Sequence, residues 1–102
     1  MAFKPFDLSG KAAVVTGGNG GIGLGMAEGL AAAGADIAIW GRNARKNAAA
    51  LETLEKYGTK ISALEVDVAD EQAVVDAMAE SLSRLGRIDC AIANAGVGGG
   101  AP

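Results

Sequence analysis

Short runs of apolar residues alternate along this chain with longer stretches in which apolar positions return every three or four residues. Lys11-Ala-Ala-Val-Val-Thr16 is one such run, and it ends in a glycine cluster between Gly17 and Gly25. An apolar run of this length bounded by glycine reads as a buried strand. From about Gly21, the residues Ile22, Met26, Leu30 and Ala33 recur at helical spacing, and Gly34 supplies the left-handed residue that commonly ends a helix. The pattern then repeats. Asp36-Ile-Ala-Ile-Trp40 forms a second strand, Gly41-Arg-Asn43 a turn, and a helix runs from about Ala44 to Tyr57 with Ala48, Leu51 and Leu54 on one face, closed by Gly58. Lys60 to Val66 forms a third strand. Asp67-Val-Ala-Asp70 leads from it into a helix carrying Val74, Val75, Met78, Leu82 and Leu85, with Asp70 as N-cap and Gly86 as stop. A fourth strand, Ile88 to Ala93, enters Asn94-Ala-Gly96, and the arm before the first strand is expected to lay Phe6 and Leu8 over one end of the core.

Strands alternating with helices of 10 to 15 residues imply right-handed parallel crossovers, hence an α/β fold with helices on both faces of a parallel sheet. With the first strand central, the expected order is 3-2-1-4, half of a doubly wound sheet. Ligands in such sheets bind at the carboxyl ends of the strands, beside the switch point, which here lies between strands 1 and 4. Helices 1 and 2 belong on one face and helix 3 alone on the other, so strand 4 is an open edge beside a partly bare face. Unpaired ladder groups and exposed apolar surface favour association, as a homo-oligomer or through strand 4 and the uncovered face.

Composition narrows the chemistry. The chain has 102 residues, half of them hydrophobic and 21% charged, which fits a single domain over residues 1–102. Aromatic residues make up 4%, so the core is built from small aliphatic side chains. Nine basic against twelve acidic residues give a net charge of −3, and no positive surface exists for a nucleic-acid backbone. Histidine is absent and Cys90 is the single cysteine, which excludes a histidine general base, a Cys/His metal site and an internal disulfide. The opening ten residues, Met1 to Gly10, hold no apolar core of signal-peptide length and no uncharged apolar run nears the roughly 18 residues of a membrane span, so the chain is read as cytoplasmic, with no membrane partner.

The glycine cluster carries the first functional signal. It can be parsed as Gly18-x-Gly20-x-x-Gly23, or as Thr16-Gly17-x-x-x-Gly21-x-Gly23. Either spacing serves the same physics: glycine allows positive φ in the turn, lets a backbone approach a pyrophosphate, and lets the helix begin close against the sheet. Free N–H groups at the helix start then face the anion.

Three segments taken together add a resemblance. Thr16-Gly17-Gly-Asn-Gly-Gly21-Ile-Gly23 after the first strand, Asp67-Val68 after the third, and Asn94-Ala95-Gly96 after the fourth resemble the N-terminal half of the short-chain dehydrogenase/reductase family. The likeness extends from about Leu8 to Gly98, including Leu8-Ser-Gly-Lys11 and Gly86-Arg-Ile-Asp89. It implies a Rossmann-like, dinucleotide-binding domain. By that resemblance Gly17, Gly21, Ile22 and Gly23 floor the pyrophosphate, Asp67 and Val68 hold the adenine, and Asn94, Ala95 and Gly96 lie along the riboses while bracing strand 4. Asn19, Gly20 and Asn43 complete the candidate cofactor-binding set. The family usually has two asparagines in its last motif, and here Ala93 replaces the first, which bears on how strand 4 is anchored.

Cofactor choice turns on the end of the second strand, where an acidic side chain would accept bonds from an unphosphorylated ribose. That position is Gly41, followed by Arg42, with Arg45 and Lys46 close by. A guanidinium there can clamp a ribose 2′-phosphate, which favours NADP over NAD. Trp40, closing the strand, is placed beside that site. The family transfers hydride between a nicotinamide cofactor and an alcohol or carbonyl, using a tyrosine, a lysine four residues later, and a serine. None of the three is found here: Tyr57 is followed four places on by Ile61, and it reads as a packing residue. The chain is therefore expected to be the cofactor-binding part of an NAD(P)-dependent oxidoreductase, inactive alone, with the catalytic half and its alcohol or carbonyl substrate lying in sequence not present here. The alternative is a non-catalytic nucleotide-binding or interaction module.

Overall fold

The structure, a computed structural model, describes residues 7–94. Four parallel strands, β1 (Ala12–Thr16), β2 (Asp36–Gly41), β3 (Ile61–Glu65) and β4 (Cys90–Ala93), form one sheet in the order β3-β2-β1-β4. The helices α1 (Gly21–Ala32), α2 (Ala44–Glu55) and α3 (Glu71–Leu85) make the crossovers. The expected α/β class and strand order are both present, and each element lies within two residues of its expected limits.

Alternation along the central strands divides the core into two layers. Ala13, Val15, Ile37 and Ile39 face α1 and α2, where they meet Ala27, Ala31, Ala50 and Leu54. Ala12, Val14, Ala38 and Trp40 face α3, where they meet Ala77 and Leu85. Strands covered on both sides need apolar residues at every position, and for this reason β1 and β2 read as unbroken apolar runs. Val14, Val15, Ile37, Ile39 and Leu54 are completely buried, each contributing about 1.5–3 kcal/mol of transfer free energy.

The helix faces differ from the expected ones. In α1 the buried row is Gly23, Ala27 and Ala31, while Ile22 is 77% exposed and Met26 and Leu30 lie half-buried at the flanks. In α2 the buried row is Asn47, Ala50 and Leu54, with Ala48 exposed; in α3 it is Ala77, Ser81 and Leu85, with Val75 and Leu82 about half exposed. The cause is distance: a helix lying close on a sheet has room only for small residues along its line of contact, and larger side chains splay to either side. Helix stops follow the glycines, with Gly34, Gly58 and Gly86 all at positive φ.

Among the described residues β4 pairs only with β1 and its other edge is open, with Cys90, Ala91 and Ala93 exposed. Polar groups hold it at both ends. At its start the Asp89 carboxylate accepts from the Ala12 N–H at 2.9 Å, the Asp89 N–H donates to the Ala12 carbonyl at 2.8 Å, and Arg87 grips the same carboxylate with two N–H groups. At its end the Thr16 hydroxyl donates to the Ile92 carbonyl at 3.3 Å and accepts from the Asn94 N–H at 2.9 Å. These bonds anchor the strand although Ala93 stands where a second asparagine is usual. In the arm, Leu8 packs against the α1 side of the core and its N–H donates to the Ala33 carbonyl; Phe6 lies outside the described residues.

Two outcomes are expected. Ala27→Leu forces a larger side chain into the flush row of α1 and lowers stability by about 1–3 kcal/mol in urea unfolding, whereas Met26→Leu on the flank leaves it within about 1.5 kcal/mol of the parent. Asp89→Asn tests the anchor of β4 through pH. Hydrogen bonding to Arg87, and then to the Ala12 N–H, holds the Asp89 carboxyl below its ordinary value of 3.8. A depressed folded-state pKa stabilises above the unfolded value and loses that contribution as pH falls through the folded one. Thermal scans should find the variant less stable at neutral pH, with the gap closing below about pH 4.

Candidate functional site

All four strands point their carboxyl ends to one side, and the turns leaving β1, β2 and β3 and Asn94 after β4 lie there. The turn after β1 needs glycine at three positions of the second spacing. Gly17 and Gly21 have φ of 70° and 55°, and a Cβ on Gly23 would run into the Gly17 carbonyl and the Asn94 side-chain amide. Gly18 is also crowded, against Ile39 and the Val15 carbonyl. Gly20 is extended at φ −176° with no atom near its missing side chain, so nothing at that position demands glycine. The turn is built as Thr16-Gly17-x-x-x-Gly21-x-Gly23.

Helix α1 begins without a side-chain cap and with no acidic residue in its first turn. By contrast, α2 is capped by Asn43, whose side chain accepts from the Lys46 N–H at 3.0 Å, and α3 by Asp70, which accepts from the Ala73 N–H at 3.2 Å. The first-turn N–H groups of α1 thus remain available, with Gly20 leaving open space before them. An uncapped helix start with no side chain in the approach suits an anion such as a pyrophosphate.

Arg42, directly after β2, is exposed and, among the described residues, has no ion pair or hydrogen-bond partner. It lines an open groove of about 400 Å³ with Glu65, Val66 and Asp67. Arg45 and Lys46 are exposed on the first turn of α2. Asp67 is exposed, and its Oδ1 accepts from the Ala69 N–H at 3.0 Å. Val68 stands beside it, 37% exposed. Asn94 is half-buried at the end of β4, with its side-chain amide over Gly23. The candidate residues Gly17, Asn19, Gly20, Gly21, Ile22, Gly23, Arg42, Asn43, Asp67, Val68 and Asn94 therefore all lie at the carboxyl ends of the strands; Ala95 and Gly96 lie outside the described residues. The Asn43 side chain is turned back onto its helix.

One expectation changes, and three residues stand outside the expected site. Trp40 is the last residue but one of β2, and its indole is buried under α3, donating to the Ser81 hydroxyl at 3.0 Å, and does not line the Arg42 groove. The reason is position along the chain: Trp40 is still inside β2 and belongs to the α3 layer, whereas Arg42 lies in the turn beyond the last strand residue, Gly41. Glu65 and Val66 line the groove although neither was singled out. The largest omission is Asn47, 5% exposed on the buried row of α2. Its amide donates to the Gly41 carbonyl at 3.0 Å and the Leu64 carbonyl at 3.1 Å, and its oxygen accepts from the Asn19 side chain at 3.0 Å. A polar residue in register with Ala50 and Leu54 was the available signal.

Tyr57 follows α2 at the opposite end of the sheet. Its hydroxyl donates to Glu28 at 2.8 Å, and that bond raises the phenol above its ordinary pKa of 10.0. A tyrosine serving as acid/base near neutral pH needs the reverse shift.

The sequence profile described as short chain dehydrogenase matches residues 11–102. This chain belongs to the short-chain dehydrogenase family. It is 46% identical over 92 residues to a sorbose reductase of Candida albicans, covering 90% of this chain and 33% of that protein. To a gluconate 5-dehydrogenase of Gluconobacter oxydans it is 44% identical over 97 residues, 95% of this chain and 38% of that one. The crystal structure of L-sorbose reductase from Gluconobacter frateurii, complexed with NADPH and L-sorbose, superposes with a TM-score of 0.85 at 36% identity, covering 90% of this chain and 35% of the reductase. The chain thus spans about a third of the length of these family members.

Paired substitutions check which glycines the turn requires. Gly23→Ala places a Cβ against a backbone carbonyl and should lower stability by about 2–3 kcal/mol in chemical unfolding. Gly20→Ala meets open space and should cost no more than about 1 kcal/mol, the ordinary penalty for alanine at an N-cap. Equal losses would return the turn to the Gly18-x-Gly20 spacing.

Proposed function

We propose that this chain is the cofactor-binding part of an NAD(P)-dependent oxidoreductase that moves hydride between the nicotinamide and an alcohol or carbonyl group, and that it prefers NADP. The observation that carries the reading is the uncapped start of α1 directly above the Gly17, Gly21 and Gly23 turn, with the guanidinium of Arg42, unpaired among the described residues, at the next strand end. In this reading the α1 N–H groups take the pyrophosphate, and Arg42, with Arg45 and Lys46 behind it, takes the ribose 2′-phosphate. Val66, Asp67 and Val68 flank the adenine. Asn94, with Ala95 and Gly96, follows the riboses, while Asn19, Gly20 and Ile22 shape the turn and Asn43 starts the helix that carries Arg45 and Lys46.

The bound nicotinamide supplies the hydride chemistry; residues 1–102 supply binding and orientation. Neither Tyr57 nor any serine among the described residues stands at the strand ends as a substrate group, so the reading assigns the catalytic residues and substrate contacts to sequence beyond Pro102. The lengths of the relatives support that assignment. The open edge of β4 and the apolar hollow beside it, lined by Leu8, Leu30, Ala35 and Cys90, are then where the rest of the sheet would add. A second copy docked there would appear in sedimentation as a dimer. A reducing, cytoplasmic setting suits the exposed free thiol of Cys90, and no helix among the described residues is long and apolar enough to cross a membrane.

Titration calorimetry with NADPH and NADH tests the reading. The parent chain should bind NADPH roughly ten- to a hundredfold tighter than NADH, the worth of one charge-assisted phosphate contact. Arg42→Ala should bring NADPH down to the NADH level and spare NADH, and Gly21→Val should weaken both. Heat from neither nucleotide with a folded chain overturns the reading, and equal affinities remove the part played by Arg42.

A further inference from the structure

The strand-end position that decides between ribose and ribose phosphate is Gly41, and it is buried. Its φ is not among the positive ones, so the backbone there is open to any residue. Space is what forbids a side chain. A Cβ on Gly41 would collide with the Asn19 side-chain nitrogen and carbon and with the Asn47 side-chain oxygen. Those atoms are tips of flexible side chains and would ordinarily swing aside. Here they are bonded to each other at 3.0 Å, and the Asn47 amide is also committed to the Gly41 and Leu64 carbonyls. Moving either one breaks hydrogen bonds in a site where Asn47 is only 5% exposed, and a buried amide left unpaired is penalised more heavily than the bond was worth.

We propose that the Asn19–Asn47 pair is a specificity-determining device: by filling the space above Gly41 it excludes a carboxylate from the end of β2 and leaves the adenosine ribose to Arg42. This rests on the dinucleotide reading above and goes beyond it, because it locates the choice of cofactor in two amides that would touch no phosphate. Asn47 sits on α2, Asn19 in the phosphate turn and Gly41 on β2, so the three positions form one unit. An acidic residue at position 41 can serve an unphosphorylated ribose only when the pair is removed with it. Asn19 and Asn47 are positioning residues in this scheme, acting through the room they deny.

The test places Gly41→Ala and Gly41→Asp in the parent chain and in the Asn19→Ala/Asn47→Ala chain, reading Tm and the affinities for NADPH and NADH by calorimetry. In the parent, Gly41→Ala should lower Tm by roughly 5–10 °C, and Gly41→Asp should lower it further without tightening NADH. In the chain lacking the pair, Gly41→Ala should leave Tm unchanged relative to that background, and Gly41→Asp should tighten NADH at least about tenfold, as a ribose-binding carboxylate should. If the double background does not fold, Asn19→Ala alone replaces it, since both Asn47 N–H bonds survive and its oxygen is released; the Gly41→Ala drop should then shrink. A Gly41→Ala drop that is the same in either background overturns the proposal, as does Gly41→Asp giving NADH preference in the parent at unchanged Tm. Equal NADPH and NADH affinities in the parent would remove the Arg42 reading and leave the Tm comparison and the Gly41→Asp gain to decide the Asn pair.

Discussion

Gly23 has no room for a side chain, and that closeness governs the carboxyl end of the sheet. The space a side chain would need is taken by the Gly17 carbonyl, at the exit of β1, and by the Asn94 amide, at the exit of β4. The helix start, the central strand and its edge neighbour are thereby brought to one point. Ala27 and Ala31 continue the same row along α1, which lets the helix lie flat on Ala13, Val15, Ile37 and Ile39. One line of small residues therefore closes the core and directs the uncapped N–H groups of α1 over the strand ends. Core packing and the geometry for holding an anion have a single origin.

Polar groups inside the layers fix what apolar packing leaves free. Strands that are apolar and buried at nearly every position, as β1 and β2 are, have no in-and-out alternation to set their register. Asp89 at one end of β4 and Thr16 at the other remove that freedom. Asn47 does the same for β2 and β3 by bonding the carbonyls of Gly41 and Leu64. On the other face Trp40 is fixed by Ser81, and Arg84 reaches Ser62 at 2.8 Å while paired with Glu80. Each buried amide or hydroxyl in these contacts is satisfied, the condition under which such groups specify a structure instead of weakening it.

The order of elements, the strand order and the glycine stops were legible in the sequence, because apolar runs, helical spacing and left-handed residues are local properties. Helix faces were less so. Periodicity weights large residues such as Ile22 and Leu82, whereas contact with a sheet selects small ones such as Ala27 and Ala77, and only the interhelix-to-sheet distance reveals the difference. The site divided in the same way. Gly17, Gly21 and Gly23 announce themselves through spacing, but Asn47 owes its role to three partners that the fold brings together from Asn19, Gly41 and Leu64. Trp40 was placed at the site because it is close in sequence to Arg42, but the strand holds its indole in the α3 layer against Ser81 while Arg42 lies in the turn beyond.

Net charge and local charge act in opposite directions in this molecule. A net charge of −3 repels an anionic dinucleotide at long range, yet beyond a Debye length of about 8 Å at physiological salt that repulsion is largely screened. In the proposed site a bound phosphate would feel the local set: the positive end of α1, Arg42, which is unpaired among the described residues, and the neighbouring Arg45 and Lys46. Of the two carboxylates that line the groove with Arg42, Glu65 and Asp67, the second is already engaged by its own backbone through Ala69. Because those positive groups are concentrated at two strand ends, affinity should depend on salt as a few-charge contact does, not as a general surface field. The Asn19–Asn47 pair lies between them, and its neutrality matters: a charged side chain in that buried place would either compete with Arg42 for the phosphate or repel it.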